Sequence, residues 1–427
     1  MVNFIVNSIF RQPPLFLGLI ALLGLLVQRR SAGDVISGTV KTVIGVIVLM
    51  KGVDVIAGAM APLADAFSAL YAIEGALVTE PLGMTGFITQ YGSAIGLVMV
   101  LSFATNLVFA RFTRFKSVFL TGHIFFWIAF MVIAVGVESG LESQALVIFG
   151  TVFTSLYIIV TPWMIRPFVK QVTGDDSFTI GHTTVGMSLI ASYLGKWFGN
   201  KAKSTEDLAI PESLGFLRDN VVITGLVMML IYMAASILVG ADIREAAYGA
   251  ANSTLSASMV FSVMQGFTFG AGVMVMLTGV RVMMSELMPA FHGIAEKLIP
   301  DAVPALDCPM IFPYAPNAVI IGFIVSMISS IITIALFARF RVFSVAILPL
   351  TVACFFDIGP AAVFANATGG IRGTVIASAV CGVLLISFAG LSIVMLSSTV
   401  PDFLRAFGGN DFSILAIVLD FGASLFT

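Results

Sequence analysis

The stretch Ile299–Val319, IPDAVPALDCPMIFPYAPNAV, decides how this chain folds. It stands between two long apolar segments, yet it holds five prolines, with Asp301 near its start and Asp307 at its middle. Each proline ring removes a backbone donor and clashes with the preceding turn, so neither flanking helix can run through it. Broken backbone at membrane depth must be buried in protein or line a wet cavity, because lipid offers its polar groups no partner. An ionisable residue held at such a break is a functional candidate, and Asp307 is the first of these.

Working outward, the whole chain has membrane composition. Of its 427 residues 59% are hydrophobic and only 10% charged, with a mean hydropathy of +1.07; soluble domains carry about 25% charged residues. Apolar runs recur from end to end, and about eleven are long enough to cross a hydrocarbon core of about 30 Å. The expected fold is an all-α polytopic membrane protein, a single transmembrane unit over 1–427. The opening MVNFIVNSIFRQPP has no basic n-region or small-residue cleavage site, so no removable signal peptide is expected. Cys308, Cys354 and Cys381 have no metal or redox spacing and read as small buried residues. No phosphate-binding loop, metal-binding HExxH, nucleophile elbow or basic nucleic-acid patch occurs. No cofactor, metal or nucleic-acid partner is therefore expected, nor a membrane enzyme acting alone.

The expected spans run from Pro14 to Val27, Val35 to Met60, Ser93 to Ala110, Val118 to Val137 and Ala145 to Ile165 in the first part of the chain. Further spans follow at Val221–Gly240, Leu255–Met288, Ala318–Phe337, Ser344–Ala365 and Val375–Leu396, with a last one from Phe412. Lys51 and Asp54 share a helical face and read as a mutually neutralising pair. The Gly-rich region from Pro62 to Tyr91 reads as amphipathic and re-entrant. Arg166–Asn220, the one long polar stretch, reads as the main cytoplasmic loop. With the amino terminus outside, cytoplasmic stretches hold 14 of the 21 Lys and Arg residues, as the positive-inside bias favours. Arg339 and Arg341 fall outside.

Self-comparison accounts for those two. VLMKGVDVIAGAMAP (Val48–Pro62) aligns without a gap on VMLTGVRVMMSELMP (Val275–Pro289), Gly52 matching Gly279 at an offset of 227 positions. ARFTRF from Ala110 matches ARFRVF from Ala338, and SFTI from Ser177 matches DFSI from Asp411. Two copies of five crossings, about 14–220 and 221–427, must lie in opposite senses, which puts one of Arg111 and Arg339 outside. The same offset pairs Glu80 with Asp307. Two carboxylates near pseudo-symmetric breaks can accept hydrogen bonds from the hydroxyls of a polar solute. His123, in LTGHI, and His182, in FTIGHTT, each follow a glycine, and a neutral imidazole can both donate to and accept from a sugar hydroxyl. An unliganded interfacial histidine is the competing reading of either. Asp301 reads as a helix-end acid, and His292 as part of a solvated face.

KTVIGVIVLMKG from Lys41, LTGHI, FTIGH, EDLAIP from Glu206, RVMMSELMPAFHGIAEKLIPDAVPALDCPMIFPYAPNAV from Arg281 and VFANATGG from Val363 occur in one order along nearly the whole chain. In these the sequence resembles the ascorbate-type membrane component, EIIC, of the bacterial phosphoenolpyruvate-dependent phosphotransferase system (PTS). The resemblance implies a homodimer in the cytoplasmic (inner) membrane, each protomer with a V-motif dimerisation domain and a core domain. It implies a carbohydrate bound between these domains, carried inward as the core moves, and phosphorylated by a separate EIIB protein that EIIA recharges. It also matches His123, His182 and Asp307 to ascorbate-contacting positions. The family's glutamine four residues after the first histidine is Trp127 here, the glutamine after the second is Thr183, and a Thr-Tyr pair is Glu80-Pro81. Two lost amides and a gained carboxylate favour a neutral sugar or polyol over anionic ascorbate, with Trp127 stacked on its carbon frame. The competing function is a proton-coupled secondary transporter in which Glu80 and Asp307 titrate.

Overall fold

The computed structural model describes residues 12–70, 81–208, 216 and 219–423. The first half contains α1 (Pro13–Val27), α2 (Ala32–Leu70), α3 (Gly83–Phe112), the short strand β1 (Ser117–Phe119), α4 (Gly122–Glu138) and α5 (Ser143–Thr173). Then come β2 (Thr179–Ile180), α6 (Val185–Phe198), α7 (Asn220–Leu238), α8 (Ala241–Tyr248), α9 (Leu255–Leu298) and β3 (Val303–Leu306). A 3-10 helix over Cys308–Tyr314 leads to α10 (Pro316–Phe340), α11 (Thr351–Phe356), α12 (Ile358–Met395), α13 (Pro401–Phe407) and α14 (Asp411–Ala423). Seven helices among the described residues are long and apolar enough to cross a membrane, and the apolar α4 is shorter. The protein is thus an all-α polytopic membrane protein.

The helices pack in two groups. In the first, α2 and α9 lie against each other, flanked by α1, α7 and α8. Their close crossing follows from glycine: a Cβ on Gly52 would lie 2.3 Å from Met276 N, and one on Gly279 would lie 2.2 Å from Leu49 N. The two glycines that align in the internal comparison are thus the ones that let these backbones touch. Lys41 Nζ reaches Glu286 Oε1 across the same pair at 2.9 Å. The second group contains α3 to α6 and α10 to α14, with α12 packed on both α6 and α10. Gly370, at φ 58°, breaks α12, and its missing Cβ makes room for the carbonyls of Asn200 and Lys203.

Several sequence expectations shift. Pro62 does not end α2, which continues to Leu70; the chain is again regular helix from Gly83. A proline's lost bond is tolerated in a long membrane helix whose neighbours satisfy the freed carbonyl. Lys51 and Asp54 do pair, at 3.0 Å, with both side chains exposed. The polar stretch from Arg166 is not all loop. α5 runs on to Thr173, and α6 folds into the second group with Ser188 and Ser192 wholly buried. Its small polar residues bond internally, as Ser192 Oγ does to the Ser188 carbonyl at 2.6 Å, so hydrophilicity there marks close packing rather than solvent.

Candidate functional site

The proline-rich stretch forms the centre of a small sheet. β3 lies between β1 and β2, parallel to both, with Phe119 opposite Ala305 and Ile180 opposite Leu306. Pro304 sits in this central strand without breaking it. Val303 N–H donates to the Lys116 carbonyl and Leu120 N–H to that of Ala305, while β2 begins to pair only from Ala305 onward. The missing donor of Pro304 therefore falls where no ladder partner is lost. Parallel strands present their carboxyl ends on one side. Directly beyond those ends come His123 at the start of α4, His182 after Gly181, and Asp307 before the 3-10 helix.

These three side chains converge. His123 Nε2 is 3.6 Å from Asp307 Oδ2, and His182 Nε2 is 3.8 Å from Asp307 Oδ1. Both gaps exceed a direct hydrogen bond. Asp307 Oδ1 also accepts the Cys308 N–H at 2.7 Å, so the carboxylate caps the 3-10 helix while facing both imidazoles. Thr184 N–H points at His182 Nδ1 at 3.2 Å. That bond assigns the ring proton to Nε2, on the Asp307 side. His182, Asp307 and Cys308 also bring ligand-type atoms within 4.8 Å of one another, a set that a divalent ion could use.

His123, Trp127, His182, Thr183 and Asp307 all line one cavity of about 90 Å³. Leu49, Met276 and Leu277 close it from the first helix group; among the described residues, every polar side chain in its wall comes from the second. Trp127 presents one face to Phe403, with ring centroids 4.8 Å apart. Glu80 lies outside the described residues. Thr183 turns its hydroxyl toward a carboxylate that the sequence reading did not single out, donating to Asp357 Oδ1 at 2.8 Å.

Asp357, Asn410, Asp411 and Tyr157 are the residues missed. Asn410 Nδ2 donates to Asp357 Oδ2 at 2.8 Å, and the Tyr157 hydroxyl lies 2.7 Å from Asp411 Oδ2. Asp411 Oδ1 takes the Gly186 N–H at 2.9 Å, and its own N–H donates to the Thr183 carbonyl. This second layer fixes the loop that carries His182 and Thr183. The signal for Asp357 was present: it is a lone acid inside the apolar run CFFDIGP. At the start of α10, Glu206 of EDLAIP accepts the N–H groups of Asn317 and Ala318, and Asn366 of VFANATGG accepts that of Thr205.

The fold and the pocket define a polytopic helical membrane protein with a cavity between two helix groups, mainly apolar in its wall and carrying His123, His182, Thr183, Asp307, Asp357 and Asn410 from the second group. The chain belongs to the PTS system sugar-specific permease component family (EIIC-GAT), whose model matches residues 8–408. It is 27% identical over 439 aligned positions to the ascorbate-specific PTS system EIIC component of Mycoplasma pneumoniae. That match takes in 90% of this chain and 66% of the relative, so the chain spans just under two thirds of that protein's length.

Proposed function

We propose that this protein is the permease subunit of a bacterial PTS, resident in the inner membrane as a homodimer, and that it takes up a carbohydrate coupled to its phosphorylation by a separate EIIB protein. The observation that supports this best is the convergence of His123, His182 and Asp307 on one pocket between the two helix groups. A hydroxyl beside Asp307 and His182 can donate to the carboxylate and accept from the His182 Nε2–H. Trp127 supplies an apolar face for a ring or carbon chain. Asp307 then orients the hydroxyl to be phosphorylated and draws on its proton. EIIB, recharged by EIIA, supplies the phosphoryl group. The ester gains a charge of about −1.5 to −2 and no longer suits the outward path.

The ligand class that this pocket favours is a neutral sugar or polyol, although the Mycoplasma relative is described as ascorbate-specific. The test is uptake by membrane vesicles loaded with phosphoenolpyruvate and the general PTS proteins, with and without EIIA and EIIB. Strict dependence on both and recovery of phosphorylated product is the expected result. Accumulation of unmodified solute driven by a proton gradient would overturn it in favour of a secondary transporter.

A further inference from the structure

We propose that Asp357 sets the charge selectivity of the pocket, excluding anionic ligands and admitting uncharged polyhydroxylated ones. This rests on the carbohydrate-permease reading above and adds to it the residue that discriminates. Asp357 is buried and lines the same cavity as Asp307, on the other side of His182, whose Nδ1 is 3.6 Å from Asp357 Oδ1. Both of its oxygens receive donors, one from Thr183 and one from Asn410.

The cavity thus has two carboxylates facing it and, among the described residues, no lysine or arginine in its wall. The histidines do not cancel this. Nδ1 of His182 accepts from Thr184 N–H, which leaves that ring neutral, and a charged His123 could offset only one carboxylate. A carboxylate within about 6 Å of an anion, at an effective dielectric of about 20, disfavours it roughly a hundredfold. An uncharged polyol escapes that repulsion, and its hydroxyls donate to the same oxygens. Asp357 is reached by the ligand only where Thr183 and Asn410 leave lone pairs free, so it acts as a filter as much as a contact.

The test compares purified wild-type protein, Asp357→Asn, and the exchange Asp357→Asn with Asn410→Asp. The exchange keeps one acid and one amide in hydrogen-bonding reach and therefore keeps the charge. Ligands are used in pairs on one carbon frame, xylitol with xylonate and sorbitol with gluconate, alongside ascorbate. Wild type should bind the better polyol more tightly, by roughly a hundredfold or more, than its acid and than ascorbate. Asp357→Asn should shrink that ratio roughly a hundredfold, and the exchange should restore it. A merely structural Asp357 would weaken both members of a pair equally. Wild-type protein binding the acids or ascorbate as well as the polyols, or an unchanged ratio in Asp357→Asn, overturns the inference while leaving coupled uptake intact. If the variants do not fold, the wild-type ratio alone decides. Failure of every compound to bind counts against the carbohydrate reading and this inference together.

Discussion

Replacing Asp307 by Asn isolates the charge at the centre of the site. Asparagine is as good an N-cap as aspartate, so the bond to Cys308 N–H, 2.7 Å in the present structure, can be kept, and the 3-10 helix with it. What changes is the acceptor. A hydrogen bond to a charged group contributes about 1.5 to 3 kcal/mol and a neutral one about 0.5 to 1.5, so each ligand hydroxyl on this carboxylate loses roughly 1 to 1.5 kcal/mol. An ionised carboxylate has about four lone-pair sites, and the Cys308 N–H takes one of them, so Asp307 can accept two such hydroxyls. The combined loss is about 2 to 3 kcal/mol, or roughly 30- to 150-fold in Kd. Binding to purified protein measures this directly, and vesicle uptake with EIIB measures the phosphoryl step, which should fall by at least as much. Full affinity and full coupled phosphorylation in Asp307→Asn would refute the assignment of Asp307 to the ligand.

Two further substitutions test the frame around the pocket. Tyr157→Phe removes the hydroxyl 2.7 Å from buried Asp411 and should cost about 1.5 to 3 kcal/mol of stability. A lowered Tm and weakened ligand binding are expected, and an unchanged Tm would show that Gly186 N–H alone satisfies the acid. Gly279→Leu places a side chain where even a Cβ would sit 2.2 Å from Leu49 N. It should force α2 and α9 apart, seen as loss of folded protein in detergent; a stable, active variant would refute the close crossing.

How much of this was legible in the sequence depends on the scale at which each signal is written. Five prolines between apolar segments mark a break at any window, and His123, His182 and Asp307 were within reach because polar groups are scarce in such a chain. The strands that assemble them were not. A strand of two to four residues is shorter than any periodicity can register, and its partners lie far apart along the chain. Asp357, a lone acid inside the expected span Ser344–Ala365, carried a signal of its own, but its tie to the site shows only when Thr183 and Asn410 are seen beside it. Arg166–Asn220 misled for a different reason. Lys170, Lys196, Lys201, Lys203 and Arg218 make the stretch read as solvated loop, although Thr184, Ser188 and Ser192 within it are buried and bonded to one another or to backbone. The sequence pairing of Glu80 with Asp307 falls on a residue outside the described ones, and the second acid in the cavity wall is Asp357.

The distribution of polar groups between the helix groups bears on how such a pocket can move. Among the described residues, every hydrogen-bonding side chain that lines it, from His123 to Asn410, belongs to the second group, whereas the first contributes only Leu49, Met276 and Leu277. A solute held by the second group would carry its polar contacts with it through any relative displacement. The apolar wall has no hydrogen bond to break as it slides. Were the carboxylates and imidazoles divided between the groups, each step would expose unpaired buried donors or acceptors, at about 1 to 3 kcal/mol apiece. The one-sided arrangement therefore suits the movement that the family resemblance implies, if the second group is the part that carries the ligand against the α2–α9 pair. The strand device follows from the same requirement, since three parallel strand ends hydrogen-bonded to one another keep His123, His182 and Asp307 in fixed relation during that displacement.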